Sequence, residues 1–200
     1  MRGAFLSHDG RWLAAVHPAE DLRVWSTEDG TLLGHFPGKV NAGGGAFDPT
    51  GHRVVLNDFD SIVVWDLETR RECWRTPASG TASSATWSPD GRLVAATRDG
   101  VFCMILDAET GALVGRLEHP DPRLYAALTF SPDSAQLACS STAHVVHLWN
   151  FLPLRRELAA LRLDWERPPP PPEAAVAPAP RVCLTPSAPP AAPPPSSGAR

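Results

Sequence analysis

The stretch Ser88-Pro89-Asp90-Gly91-Arg92-Leu93-Val94-Ala95 decides the fold of this chain, because worn copies of it recur roughly every forty residues along the sequence. One position of the repeat is held in successive copies by Gly10, Gly51, Gly91 and Ser134. A second position is held by Trp25, Trp65, Leu106 and Trp149. A period of this length, with turn residues at fixed offsets, is typical of stacked β-units and not of a single enzyme core. The sequence therefore favours a binding surface over a catalytic pocket.

Each copy begins with a hairpin turn, whose chemistry is clearest in Ser88-Pro89-Asp90-Gly91. Proline presets φ for the first central position, aspartate bonds its own backbone, and glycine accepts a positive φ without a Cβ penalty. Ser134 replaces the glycine in the fourth copy. If that turn keeps the same shape, we expect Ser134 to cost about 1 kcal/mol of stability.

The strands that follow the turns are apolar almost without alternation, as in Ile62 to Trp65 and Val101 to Leu106. Such runs suit strands that are covered on both faces. Small sheets packed face to face bury their strands in this way. We therefore predict an all-β domain of about four stacked sheets over residues 1–152.

The repeats resemble those of the WD40-repeat β-propellers over about residues 4–151. The resemblance lies in the Trp65-Asp66 dipeptide, in the turns like Ser88–Gly91, and in Asp99-Gly100 before a strand. It implies propeller blades and a protein-binding scaffold. It also implies that the repeat positions are structural and not catalytic: Trp25, Trp65, Asp66, Asp99 and Trp149. No copy carries the family's full set of His, Ser/Thr, Asp and Trp, and Leu106 stands where Trp is usual.

Four copies are fewer than the seven blades with which this family usually closes, so the resemblance implies an incomplete arc. Three explanations stay open. The chain is the C-terminal piece of a longer protein with missing upstream blades, it self-associates with a second arc, or it closes as four blades. We favour the first explanation.

The segment 153–166 predicts a short amphipathic helix that begins at Pro153, a residue favoured at the first helical position. One apolar stripe runs along it through Leu154, Leu158, Leu161 and Trp165. The stripe favours packing against the last blade, and the alternative is a docking helix for another protein.

Residues 154–169 also resemble the C-terminal signature of planctomycete-type bacterial WD40 proteins, whose repeats often follow a serine/threonine protein kinase domain. This second resemblance implies the regulatory end of such a kinase. The chain itself has no Gly-rich phosphate loop, no His-Arg-Asp catalytic loop and no Asp-Phe-Gly triplet.

From Arg167 the composition is dominated by Pro, Ala and Ser, so we predict that residues 167–200 form a disordered tail. We interpret this tail as a spacer, and a ligand for a proline-binding module is the alternative.

Composition excludes several classes of function. The net charge of −4 gives no electrostatic reason to expect nucleic acid. No stretch approaches the ~18 apolar residues of a membrane helix, and the apolar N-terminal run is too short for a signal peptide, so we predict a cytoplasmic protein. The four cysteines show no zinc-ligand spacing and are expected to be small buried apolar residues in a reducing compartment.

Two classes of function remain: a protein-interaction scaffold, and an enzyme or small-ligand binder. We favour the scaffold and therefore expect no enzymatic activity, bound metal or cofactor. The histidines are scattered, and a weak cation site at Asp58 and Asp60 is the only candidate for a bound ion. The turns on the inner side carry Asp21, Asp58, Arg98 and Asp99, which differ between copies and so favour a protein scaffold. The alternatives are an enzyme or small-ligand binder that uses the propeller channel, and a truncated fragment without an independent role.

Overall fold

The computed structural model describes residues 3–16, 22–36, 40–58, 60–78, 84–98, 102–118, 125–141 and 145–160. They form fifteen strands and one helix, and the strands make four antiparallel sheets, each built from consecutive strands. This is the all-β architecture of a partial β-propeller that the sequence predicts.

The strands follow one another without crossovers. The first sheet contains β1 (Gly3–Leu6), β2 (Trp12–Val16), β3 (Leu22–Ser26) and β4 (Leu32–Phe36). The second contains β5 (Val40–Phe47), β6 (Arg53–Asp58), β7 (Ser61–Asp66) and β8 (Arg71–Pro77). The third contains β9 (Ala85–Trp87), β10 (Leu93–Arg98), β11 (Phe102–Asp107) and β12 (Leu113–Glu118). The fourth contains β13 (Tyr125–Phe130), β14 (Gln136–Ser141) and β15 (Val146–Asn150), and helix α1 (Phe151–Ala160) follows it.

The predicted turns join the first and second strands of every sheet. Gly10, Gly51 and Gly91 have φ between 71° and 76°, and Ser134 has φ 60°, so the serine keeps the glycine conformation as expected. In three of these turns the serine hydroxyl donates to the aspartate two residues on, as Ser88 does to Asp90 at 2.6 Å. The same hydroxyl accepts the backbone N–H that closes the hairpin, as from Leu93 at 2.8 Å. The turn chemistry therefore fixes where each second strand begins.

The second and third sheets bury both faces of their central strands, as predicted. In the second sheet Val54, Leu56 and Val63 pack against the first sheet, whereas Val55, Ile62 and Val64 pack against the third. All six side chains are fully buried. Three apolar cores thus join four sheets in sequence order, and the first strands of neighbouring sheets lie side by side.

The boundary between the second and third sheets is tied by two indole groups that donate in opposite directions. Trp74 of β8 donates its Nε1–H to the carbonyl of Ala108 at 3.0 Å. Trp87 of β9 donates to the carbonyl of Ala46 at 3.1 Å. By contrast, the buried indole N–H groups of Trp65 and Trp149, at the other two boundaries, have no acceptor among the described residues. Among the described residues, the middle boundary is therefore the one at which buried indole groups donate hydrogen bonds across the sheets.

Helix α1 takes the place of the turn that leads to a fourth strand in the first three sheets. The N–H of Phe151 bonds the carbonyl of Ala135 at 2.9 Å, as Leu67 bonds His52 and Ala108 bonds Arg92. Asn150 Oδ1 accepts the N–H of Leu152 at 3.1 Å and so caps the helix. The helix therefore begins at Phe151, two residues before the start that the sequence predicts at Pro153. The capping side chain of Asn150, and not the proline, sets the first helical residue.

The apolar stripe predicted along the C-terminal helix lies partly within the described residues. Phe151, Leu154 and Leu158 are buried or half-buried, and the first two pack into the core between the third and fourth sheets. Leu161, Trp165 and the tail 167–200 lie outside the described residues.

Candidate interaction surfaces

The five predicted repeat positions have different roles. Trp65 lies in the core between the first two sheets, where its ring meets Phe36 edge-on at 5.8 Å, and Trp149 packs in the core between the last two. Trp25 is half-buried, and Asp99 lies outside the described residues. Asp66 caps the turn after β7 by accepting the N–H and hydroxyl of Thr69 at 2.7 and 2.8 Å. Trp65, Asp66 and Trp149 thus make contacts within the fold.

Two of the four inner-side polar residues come together at the ends of β6 and β10. Arg98 is fully buried and donates from Nη1 to the carbonyl of Asp58 at 3.1 Å. The carboxylate of Asp58 faces Arg75 at 3.1 Å, and Arg75 also bonds the hydroxyl of Ser61 at 2.7 Å. We call Asn57, Asp58, Ser61, Arg75 and Arg98 the strand-end cluster.

The strand-end cluster is a packed polar junction between the second and third sheets. The neighbouring carboxylates raise the pKa of Arg75, first through the hydrogen bond that Arg75 donates to Glu72 and then through the one that it donates to Asp58. The Asn57 amide is fully buried and has no hydrogen-bond partner among the described residues. Asp58 and Asp60 are the carboxylate pair that the sequence offers as a weak cation site. Because Arg75 forms an ion pair with Asp58, the negative charge of Asp58 is already compensated. Among the described residues, no group of three or more His, Cys, Asp or Glu could hold a metal ion.

The opposite edge of the sheets carries the repeated turns and a second series that the sequence analysis missed. Asp66-Leu67-Glu68-Thr69-Arg70 and Asp107-Ala108-Glu109-Thr110-Gly111 have equivalent places after the third strands. Asp107 accepts N–H groups from Glu109 and Thr110 at 3.0 Å, much as Asp66 accepts from Thr69. The repeated Asp-x-Glu-Thr could have revealed this series, but Arg70 interrupts its glycine position.

Exposed apolar side chains are concentrated on the first and last sheets. Leu6 is 59% exposed, although the same position holds the buried Phe47 and Trp87 in the next two sheets. Leu32 of β4 is 41% exposed. Val146 and Leu148 of β15 are 63% and 61% exposed. On these two sheets, apolar side chains of the kind that are buried between sheets elsewhere are exposed to solvent.

Cys103 and Cys139 are fully buried in the core between the third and fourth sheets, as expected of small apolar residues. Cys73 contradicts that expectation, because it is exposed. It lies on β8 at the irregularity where the pairing with β7 shifts between Val64 and Trp65. Cys183 lies outside the described residues.

The four stacked antiparallel sheets and their repeated turns define a β-propeller-type repeat protein. Residues 9–159 match the family model described as outer membrane protein assembly factor BamB, and the chain belongs to this family. The match identifies a propeller family and not the WD40 repeats specifically. No curated protein matches the chain. Within the described part of the chain, no helix has the length and apolar character to cross a membrane.

Proposed function

We propose that the chain is a non-catalytic protein-interaction scaffold of WD40-like organisation, and that the exposed face of its first sheet is a contact surface. The observation that carries this proposal is Leu6, which is 59% exposed at a position that neighbouring sheets fill with buried aromatic rings. A contiguous apolar surface that faces solvent is a feature of interaction sites. Leu32, 41% exposed, extends the apolar surface on the same sheet.

A photo-crosslinking residue in place of Leu6, in the full chain and in the cells that produce it, tests this proposal. We expect a discrete cross-linked protein species, and we expect Leu32→Asp in the same chain to weaken it several-fold. The matched control places the crosslinker at Glu28, an exposed turn residue. Equal products from both positions, or none from Leu6, would contradict the proposal.

We further propose that this scaffold is the regulatory part of a bacterial serine/threonine kinase, on the resemblance of residues 154–169. The coding sequence upstream of Met1 provides the test. A kinase domain in the same frame supports the proposal, and an unrelated reading frame contradicts it.

A cytoplasmic location is also a proposal. The free thiols of Cys103 and Cys139 are compatible with a reducing compartment. Cell fractionation decides the question, because recovery with the outer membrane or the periplasm would contradict it.

A further inference from the structure

One face of the last sheet is uncovered among the described residues. Val146 and Leu148 of β15 lie on this face and are 63% and 61% exposed. The register of the strands gives their equivalents in the first three sheets, where the next sheet covers them and each is at most 2% exposed: Leu22 and Val24, Ile62 and Val64, and Cys103 and Ile105. The last sheet therefore has an exposed face of the kind that receives a following sheet.

The first sheet has an exposed face of the opposite kind. Leu6 is 59% exposed, whereas the rings that hold its position in the other three sheets pack on the preceding sheet and are at most 9% exposed: Phe47, Trp87 and Phe130. Leu6 and the half-buried Trp25 both pair with Leu13, so these three side chains share one face of the first sheet. This face is of the kind that packs on a preceding sheet.

The two kinds of face meet at each of the three boundaries within the chain. Every core joins the equivalents of Val146 and Leu148 from one sheet to the equivalent of Leu6 from the next: Leu22 and Val24 with Phe47, Ile62 and Val64 with Trp87, and Cys103 and Ile105 with Phe130. The exposed face of the last sheet and the exposed face of the first sheet therefore match each other in the same order as the faces at the existing boundaries.

We propose that the last sheet of one copy of this chain packs on the first sheet of a second copy, so that Leu6 of the second copy covers Val146 and Leu148. This inference rests on the proposed function, because it uses the same face of the first sheet, and it names the partner as the chain itself. Two copies joined at both ends combine four sheets from each, eight in all, and known propellers close with four to eight blades. A head-to-tail contact closes into a ring when its rotation allows. The expected assembly is a dimer with two identical contacts.

Light scattering of the purified full chain across a dilution series tests the proposal. We expect a dimer, and association at least about tenfold weaker in Leu148→Asp and in Leu6→Asp, because each variant places a charge in an apolar contact. The matched control is Leu113→Asp, which should leave the dimer intact, since Leu113 is 56% exposed on a sheet that already has a neighbour on each side. A monomeric parent chain, or a dimer that Leu148→Asp leaves unchanged, would overturn the proposal.

The first boundary indicates which side chains of the two copies should be close. The rings of Phe5 and Phe47 meet there edge-on, with their centroids 5.5 Å apart. Thr129 holds the place of Phe5 in the last sheet, because both stand two residues before the serine of the hairpin turn, and Leu6 holds the place of Phe47. Thr129 of one copy is therefore expected beside Leu6 of the other.

A cross-link between two variants tests this arrangement, and it does not require the fold to tolerate a buried charge. Cys73 and Cys183 are first replaced by serine, so that the introduced thiols react. A short bis-maleimide should link a Thr129→Cys copy to a Leu6→Cys copy in a mixture, found by peptide mass spectrometry, and should link neither variant to itself. Equal yields from the mixture and from either variant alone would overturn the head-to-tail order.

The inference and the proposed function fail separately. A monomeric purified chain, together with a photo-cross-link from Leu6 to a different protein in cells, would overturn the second copy as the partner and leave the contact surface standing. A monomeric chain with no product from Leu6 would overturn both.

Discussion

The indole ring of Trp74 in the second sheet lies directly on Gly111 of the third sheet. A Cβ at Gly111 would stand 2.6 Å from Cε3 of that ring. One boundary earlier the sizes are reversed. Gly34 occupies the place of Trp74, and Arg70, with φ 56°, occupies the place of Gly111 and lies 3.5 Å from where a Gly34 Cβ would be. Each of these two boundaries therefore has one large and one small residue at its outer edge.

Gly111→Ala should destabilise the protein far more than Gly30→Ala, which is its matched control. Both glycines have φ near +72°, but a Cβ at Gly30 meets nothing within 4 Å. We expect Gly30→Ala to cost about 1 kcal/mol from backbone conformation alone. Gly111→Ala should cost about 1–3 kcal/mol more, because Trp74 must move. Urea unfolding at equal protein concentration measures the difference, and equal costs would show that the ring yields freely.

The reversed pair also predicts energetic coupling between positions 74 and 111. Trp74→Gly removes a buried ring and the hydrogen bond to Ala108, so we expect a loss of about 3–5 kcal/mol. Gly111→Arg alone should clash with the ring. Together the two changes reproduce the Gly34–Arg70 arrangement, so the double variant should be more stable than the sum of the single effects, by at least about 1 kcal/mol. If the stability changes of the two single variants simply add in the double variant, the exchange of a large and a small residue does not explain the packing at these two boundaries.

The regular part of this fold was predictable and the irregular part was not, and the turns show why. Gly10, Gly51 and Gly91 repeat one backbone requirement, so their spacing alone predicts the sheets. Arg70 meets the same requirement without glycine, and the second series of turns was missed for that reason.

The start of helix α1 and the strand-end cluster escaped prediction for different reasons. Proline preference suggested Pro153, but the local cap at Asn150 decides where the helix begins. Arg98 meets Asp58 only because two sheets stack, and nothing near either residue in the sequence indicates that contact.

Ser134→Gly should change stability little, despite the positive φ. The hydroxyl of Ser134 accepts the N–H of Asp90 at 3.0 Å and so links the turns of the last two sheets. Glycine would relieve about 1 kcal/mol of backbone strain but lose a hydrogen bond of similar value. Ser134→Ala keeps the strain and loses the bond, so it should cost about 1 kcal/mol. Thermal unfolding of both variants checks the order, and a clear gain for Ser134→Gly would show that the bond contributes little.

The capping carboxylates should make the turns sensitive to acid. The N–H and then the hydroxyl of Thr69 lower the pKa of Asp66, and the Ser26 hydroxyl, followed by the N–H of Thr31, lowers the pKa of Asp29 to about 2. A folded pKa below the unfolded value means that the stabilisation is complete above about pH 4 and is lost as the pH falls through the folded pKa. NMR titration should show both carboxyls protonating below the ordinary range. Asp66→Asn should remove its share of the acid sensitivity, and an unchanged pH profile would contradict that role.

Arg98 and Arg75 both contact Asp58, but from different environments. We therefore expect their replacement to lower the free energy of unfolding by different amounts. Arg98 is fully buried, so Arg98→Ala should cost about 3–5 kcal/mol through a cavity and an unsatisfied carbonyl. The Arg75 side chain is 37% exposed, so Arg75→Ala should cost about 1 kcal/mol. Salt separates the two effects further, because 1 M sodium chloride screens an exposed ion pair but barely reaches a buried one. The Arg75→Ala cost should therefore shrink in high salt while the Arg98→Ala cost persists, and urea unfolding at both salt concentrations measures this. A salt-sensitive Arg98→Ala would mean that solvent reaches the boundary between the second and third sheets at the strand-end cluster.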